Sequence, residues 1–122
     1  MSPVYLFVYG TLRRGSQNAF AESLQAQARF VGSGRTRARL YDLGRHPGAV
    51  PSEAEKDWVW GEVFLLKRAP TTLAALDRYE GLEYERRTVV VELASGNRIE
   101  AAIYFLRREP KLGRIRSGEW TR

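Results

Sequence analysis

Val4-Tyr5-Leu6-Phe7-Val8-Tyr9 is apolar at every position and mixes β-branched with aromatic side chains. An unbroken run of this kind predicts a strand covered on both faces, near the centre of a sheet. The segment Gly10 to Asn18 breaks the pattern with Gly10 and Gly15. Asn18 is placed to cap a short helix on which Phe20 and Leu24 lie on one face. Residues 29 to 41 resume an extended pattern, with a bulge or bend expected at Gly32-Ser33-Gly34. Asp42 to Asp57 carries Gly44, Pro47, Gly48 and Pro51 and reads as an irregular loop, after which Trp58 to Leu66 forms the next strand.

Pro70-Thr71-Thr72 opens a second helix with either threonine as cap, and Gly81 is well placed to end it. Arg86 to Leu93 and Ile99 to Leu106 flank the turn signal Ser95-Gly96-Asn97 and predict a hairpin. From about Arg107 the chain is basic and carries Pro110, Gly113 and Gly118. That tail is expected to be irregular, with Trp120 as its large apolar anchor. Strands with two short helices inserted between them imply a mixed sheet that curls: an α+β, mixed α/β domain shaped as a small barrel of five to six strands, and not a doubly wound parallel fold.

The chain's 122 residues fit one domain spanning 1–122. With 43% apolar and 28% charged residues, the composition demands a packed core and lies outside the disordered class. The absence of cysteine removes disulfides, thiolate nucleophiles and Cys-ligated metals, and a single histidine, His46, removes His-rich metal sites. Apolar runs are much shorter than the roughly 20 residues of a spanning helix, and no cationic segment precedes an apolar stretch at the N-terminus. A soluble, cytoplasmic protein is expected.

The net charge of +6 rests mainly on arginine. Arg35, Arg37 and Arg39 alternate along one strand and share a face, which could track phosphates or simply be solvated. No aromatic residues are expected to interleave with these arginines, as a base-stacking platform would require.

Sequence patterns for a nucleophile elbow, a phosphate-binding P-loop, a dinucleotide fingerprint or a zinc-binding helix are all missing. His46, before a proline in a loop, reads as a surface residue. The Gly10-Thr11-Leu12 turn follows a buried strand, so its backbone N–H groups lack ladder partners and could hold an anion. Leu73, Leu76 and Glu80 fall on one helical stripe, which places a carboxyl on the face turned to the core. In the last turn the helix dipole disfavours its charge, and burial acts in the same direction. A carboxylate held near neutrality is suited to general acid–base work. The opposing reading has Glu80 swing to solvent or pair with Arg78 or Arg86. Glu83 and Glu85 read as solvated.

Val8-Tyr9-Gly10-Thr11-Leu12-Arg13-Arg14-Gly15, with Leu76-Asp77-Arg78-Tyr79-Glu80-Gly81, resembles the γ-glutamylcyclotransferase-like family, in particular its AIG2-like branch. Gly61-Glu62-Val63-Phe64, Tyr84-Glu85-Arg86-Arg87 and Ser117-Gly118-Glu119-Trp120 extend the likeness over nearly the whole chain. The resemblance implies a mixed β-barrel with a cavity beside the first loop. It also implies that Tyr9, Gly10, Thr11 and Leu12 bind substrate, largely through backbone, and that Glu80 is the catalytic base. The implied reaction releases 5-oxoproline and an amine from a small-molecule γ-glutamyl substrate, without metal or cofactor. Arg13 and Arg14 could help recruit an anionic substrate or simply be solvated loop arginines, and Tyr84 and Tyr104 would either line the pocket or pack in the core. The alternative is a non-catalytic module that binds a small anion or nucleic acid.

Overall fold

The computed structural model describes residues 3–10, 12–14 and 18–121. The apolar first strand, β1 (Tyr5–Val8), is followed by α1 (Ala19–Ala26), the long β2 (Ala28–Asp42), β3 (Pro47–Pro51) and β4 (Trp58–Leu66). Then come α2 (Ala69–Glu80), β5 (Tyr84–Leu93), β6 (Arg98–Leu106) and a two-residue β7 (Arg114–Ile115). Five strands close into a ring in the order β1, β4, β2, β3, β6, with β1 and β6 completing it. The β1–β6 and β3–β6 pairs are parallel and the remaining pairs of the ring antiparallel, so the barrel is mixed. The two additional strands are β5, which pairs with β6 along nearly its whole length and touches β2 at Gly34 and Arg35, and β7, which pairs with β2.

Strand period divides the apolar residues of β1 between two cores. Phe7 and the following Tyr9 face a cluster with Leu40, Val59, Ile103 and Trp120. Leu6 and Val8 face a second cluster in which Leu24 of α1 and Leu76 of α2 pack over Phe64 and Leu66. Coverage on both faces explains why the sequence shows a continuous apolar run there. Along β2, Thr36, Ala38 and Leu40 point inward while Arg35, Arg37 and Arg39 lie on the outer face, as the alternation predicts. The register shift lies at Val31, between Phe30 and Gly32, just ahead of the expected Gly32-Ser33-Gly34, which pairs in regular register with Val63, Glu62 and Gly61.

Several local expectations are corrected. The segment expected to be an irregular loop contains β3. Its prolines stand at the two ends of the strand, where a missing N–H costs little, and Gly48 accepts the close approach of Leu106. Helix α2 begins before either threonine: Arg68 is its N-cap without a side-chain cap bond, Pro70 lies in the first turn, and Thr72 is buried inside the helix. The tail is not wholly irregular, because β7 pairs with Leu40 and Tyr41 and brings Ile115 against the core beside Trp120. Aromatic residues do interleave with the β2 arginines, but from the neighbouring strand. The Arg35 guanidinium lies 3.8 Å from the Trp58 ring centroid, and that of Arg37 4.5 Å from the same ring.

Candidate active site

The C-terminal end of β1, the β2–β3 connection and the C-terminal end of α2 converge on a cavity of about 450 Å³. Tyr9, Gly10 and Leu12 line it from the first loop, Arg45 and His46 from the β2–β3 connection, and Glu80 and Glu83 from the end of α2. Thr11, the remaining expected binding residue, lies outside the described residues. Gly10 is required by contact: a Cβ there would lie 2.6 Å from Cγ of Pro47, so only glycine lets the first loop close against the β2–β3 connection. The Arg13 N–H and its Nε both donate to the Gly10 carbonyl, at 3.2 and 3.1 Å. That carbonyl is thereby turned into the loop. The N–H groups of Gly10 and Leu12 have no protein acceptor among the described residues, which leaves main-chain donors beside the cavity.

Glu80 occupies the last residue of α2 and is half-buried. Leu76, one turn earlier on the same stripe, is fully buried, so the stripe turns the carboxyl inward. Gly81 ends the helix with φ of 77°, a conformation that other residues adopt only with strain. Among the described residues Glu80 makes no ion pair. Arg86 lies instead 3.7 Å from Asp77. Burial alone raises the Glu80 carboxyl from 4.5 to about 7.

Three tyrosines frame this acid, and the proximity of Glu80 contributes to raising all three phenols beyond their ordinary range, with burial as the largest cause. They remain neutral at physiological pH, and each hydroxyl proton is already committed. Tyr9 donates to the Tyr104 carbonyl at 2.7 Å and accepts the Ala49 N–H at 3.1 Å. Tyr104 donates to Asp77 Oδ1 at 2.6 Å. Tyr84 donates to the Pro47 carbonyl at 2.9 Å and lies 3.0 Å from His46 Nδ1. With the Tyr84 proton on the Pro47 carbonyl, His46 Nδ1 carries the hydrogen of its contact with the phenol oxygen. The phenols therefore build a rigid wall and do not supply substrate donors. Tyr9 contributes to the cavity as a wall and as a tie across the barrel.

Tyr84 and Tyr104 thus serve both expected roles, packing in the core and lining the cavity. His46 is not a surface residue: it is half-buried in the cavity wall. Its distant partner, Tyr84, left no signal near it in the sequence. Arg13 and Arg14 do not line the cavity. Arg13 is spent on the Gly10 and Trp120 carbonyls, and Arg14 on Glu62 and the ring of Phe30. Glu83 is exposed yet lines the cavity, whereas Glu85 pairs with Arg87 and Arg107. No three His, Asp or Glu side chains among the described residues converge to hold a metal ion.

The family model for gamma-glutamyl cyclotransferase, AIG2-like, matches residues 6–122. The chain is 36% identical to a Vibrio cholerae protein over 118 residues, 94% of this chain and 93% of that one. It is 35% identical to the Escherichia coli gamma-glutamylcyclotransferase family protein YtfP over 119 residues, 94% of each chain. Among solved structures, Bacillus subtilis YkqA superposes with a TM-score of 0.76 at 31% identity, over 98% of this chain but 40% of that longer one. The mouse AIG2-like protein shares the fold, with a TM-score of 0.75 at 24% identity over 91% of this chain and 82% of that one. A closed mixed barrel, an inward glutamate ending α2 and a glycine loop against it therefore accompany a match over nearly the full length: the chain belongs to the AIG2-like gamma-glutamyl cyclotransferase family.

Proposed function

We propose that the protein cyclises a γ-glutamyl amide to 5-oxoproline and releases the attached amine, with Glu80 as general acid and base. The observation that carries this reading is the half-buried Glu80 carboxyl, without an ion pair among the described residues, held at about 7 and sharing one cavity with the Gly10 loop. The α-amine nitrogen of the substrate attacks its own side-chain amide carbon. One C–N bond forms as the ring closes and the original amide C–N bond breaks. Glu80, ionised, takes the proton from the attacking amine and passes it to the departing nitrogen, so no net proton is consumed. The N–H groups of Gly10 and Leu12 are the donors for the glutamyl group or the developing oxyanion, with Thr11 between them in the same segment. Tyr9 fixes where that segment leaves the barrel. A cavity that holds the chain folded converts proximity into rate. The chemistry needs no metal or cofactor.

The test is 5-oxoproline release from a panel of γ-glutamyl compounds. Glu80→Gln, folded by circular dichroism, should lose turnover by a factor on the order of 10²–10⁴; turnover equal to wild type rejects Glu80 as the base.

The non-catalytic alternative, with nucleic acid on the β2 arginines, has weaker support. Arg35 is paired with Glu92 at 2.8 Å, Arg39 with Asp57 at 2.7 Å, and the Trp58 face is already occupied by guanidinium groups. Charges compensated in this way have little left for phosphates.

A further inference from the structure

Strand period brings three side chains of the β5–β6 hairpin to the face that α2 covers: Tyr84 and Arg86 of β5, and Tyr104 of β6, which stands opposite Arg86 across the ladder. Two of them meet the last turns of α2 at Asp77. Its Oδ1 accepts the Tyr104 hydroxyl at 2.6 Å, its Oδ2 lies 3.7 Å from the Arg86 guanidinium, and its main-chain carbonyl accepts the Gly81 N–H at 3.1 Å, which closes the helix. Glu80 is three residues further along, so its side chain and that of Asp77 are neighbours on the helix surface. An arginine that reaches one carboxyl is close to the other, yet Arg86 pairs with Asp77 and Glu80 makes no ion pair among the described residues. The remaining groups around Glu80 supply no counterion. Tyr9, Tyr84 and Tyr104 face it as neutral phenols, and Arg45, His46 and Glu83 line its cavity without contributing to its shift, whose cause is burial. Arg78, exposed and two positions before Glu80, does not share its side of the helix.

We infer that Asp77 is a positioning residue for Glu80: by holding Arg86 and the Tyr104 hydroxyl at the end of α2, it keeps a cation from pairing with the acid. The inference rests on the reading of Glu80 as the base and names the residue that protects it. The Tyr104 bond fixes one oxygen of Asp77, which leaves the other directed at β5 and Arg86. A guanidinium drawn to Glu80 instead would favour the ionised carboxyl and make it a weaker base. It would also hold the carboxylate by charge-assisted hydrogen bonds that a substrate amine would have to displace.

The test follows the Glu80 carboxyl directly, by NMR of protein labelled at the glutamate side-chain carbons, with Glu80→Gln identifying its signal. Asp77→Asn keeps an oxygen acceptor for Tyr104 and removes the charge. The Glu80 midpoint should fall by about one pH unit as Arg86 is released, and the rising limb of kcat/KM should move down with it. Adding Arg86→Gln to Asp77→Asn should return both to near their wild-type positions, and Arg86→Gln alone should leave the midpoint in place. Asp77→Glu retains the charge and should keep the midpoint as well. An unchanged midpoint in Asp77→Asn overturns the inference. A fall that persists when Arg86→Gln is added also overturns it, because the charge of Asp77 itself would then be the cause. An equal fall in Asp77→Glu does the same, since a merely structural role would explain it. If the wild type releases no 5-oxoproline from the γ-glutamyl panel, the cyclotransferase reading fails, while the NMR titrations still decide whether Asp77 keeps Arg86 from Glu80.

Discussion

At Glu80 a single side chain links stability to chemistry. The carboxyl titrates at about 7 in the fold against an ordinary 4.5, so the folded protein holds its proton more tightly than the unfolded chain. The stability associated with that preference is fully present below pH 4.5 and is lost as the pH rises through about 7. The shift corresponds to at most about 3 kcal/mol. Glu80→Gln abolishes the titration without removing the packing of the side-chain stem. Urea unfolding should therefore show the variant gaining on wild type as the pH rises from about 4 to about 8, by up to ~3 kcal/mol at the upper end. A difference independent of pH would mean that the carboxyl is solvated. The same proton governs the proposed rate: kcat/KM should climb with pH through about 7 as the base ionises, and Glu80→Gln should lack that limb. Glu80 was legible in the sequence because one acid on an apolar helical stripe conflicts with its neighbours Leu73 and Leu76. His46 was not, because its meaning lies in a bond to Tyr84, 38 residues away.

The two helices act as supports for the cavity more than as bearers of chemistry. Asn18 begins α1 with extended backbone, and its side chain accepts the Ala21 N–H at 2.7 Å. Phe20 stacks on Tyr79 at 4.1 Å between ring centroids, which ties α1 to the last turn of α2 beside Glu80. Asn18→Ala should cost about 1 kcal/mol through loss of the cap. Hydrogen exchange should then show faster amide exchange at Ala21 and Glu22, and unchanged exchange at these amides would show that packing alone holds the helix. Capping of this kind was readable from residue type and position, as were the bounds of β4 and the β5–β6 hairpin turn. Elements governed by tertiary pairing were harder to read. β3 is a strand because β2 and β6 flank it, and its own Gly and Pro content argues the opposite. Likewise, Arg37 lies opposite Trp58 across the β2–β4 ladder, a relation that no pattern within one strand can display. The start of α2 was misplaced because two threonines offered a cap signal that the chain, with Pro70 already in the first turn, had no need to use.

The barrel is closed by contacts between distant parts of the chain, and the tail is part of that closure. β1 meets β6 at Leu6 and Ala102, while Trp120, 2% exposed, packs into the interior with Phe7, Tyr9 and Val59. Its carbonyl accepts from Arg13, the residue that also turns the Gly10 carbonyl, so the end of the chain and the first loop share one brace. Arg114 adds a second attachment, 2.7 Å from Asp57. Trp120→Ala would leave a large void at the centre of this arrangement, and such substitutions cost about 3–5 kcal/mol. Against the roughly 5–15 kcal/mol that separates typical folded and unfolded states, this is a large share of the total. The urea midpoint should fall steeply with the slope preserved, because the residual fold still unfolds as one unit. Trp120→Phe retains most of the buried ring and should recover more than half of the loss. If both variants unfolded at the wild-type midpoint, the tail would be an appendage, and Arg13 would need another explanation for its orientation toward Trp120.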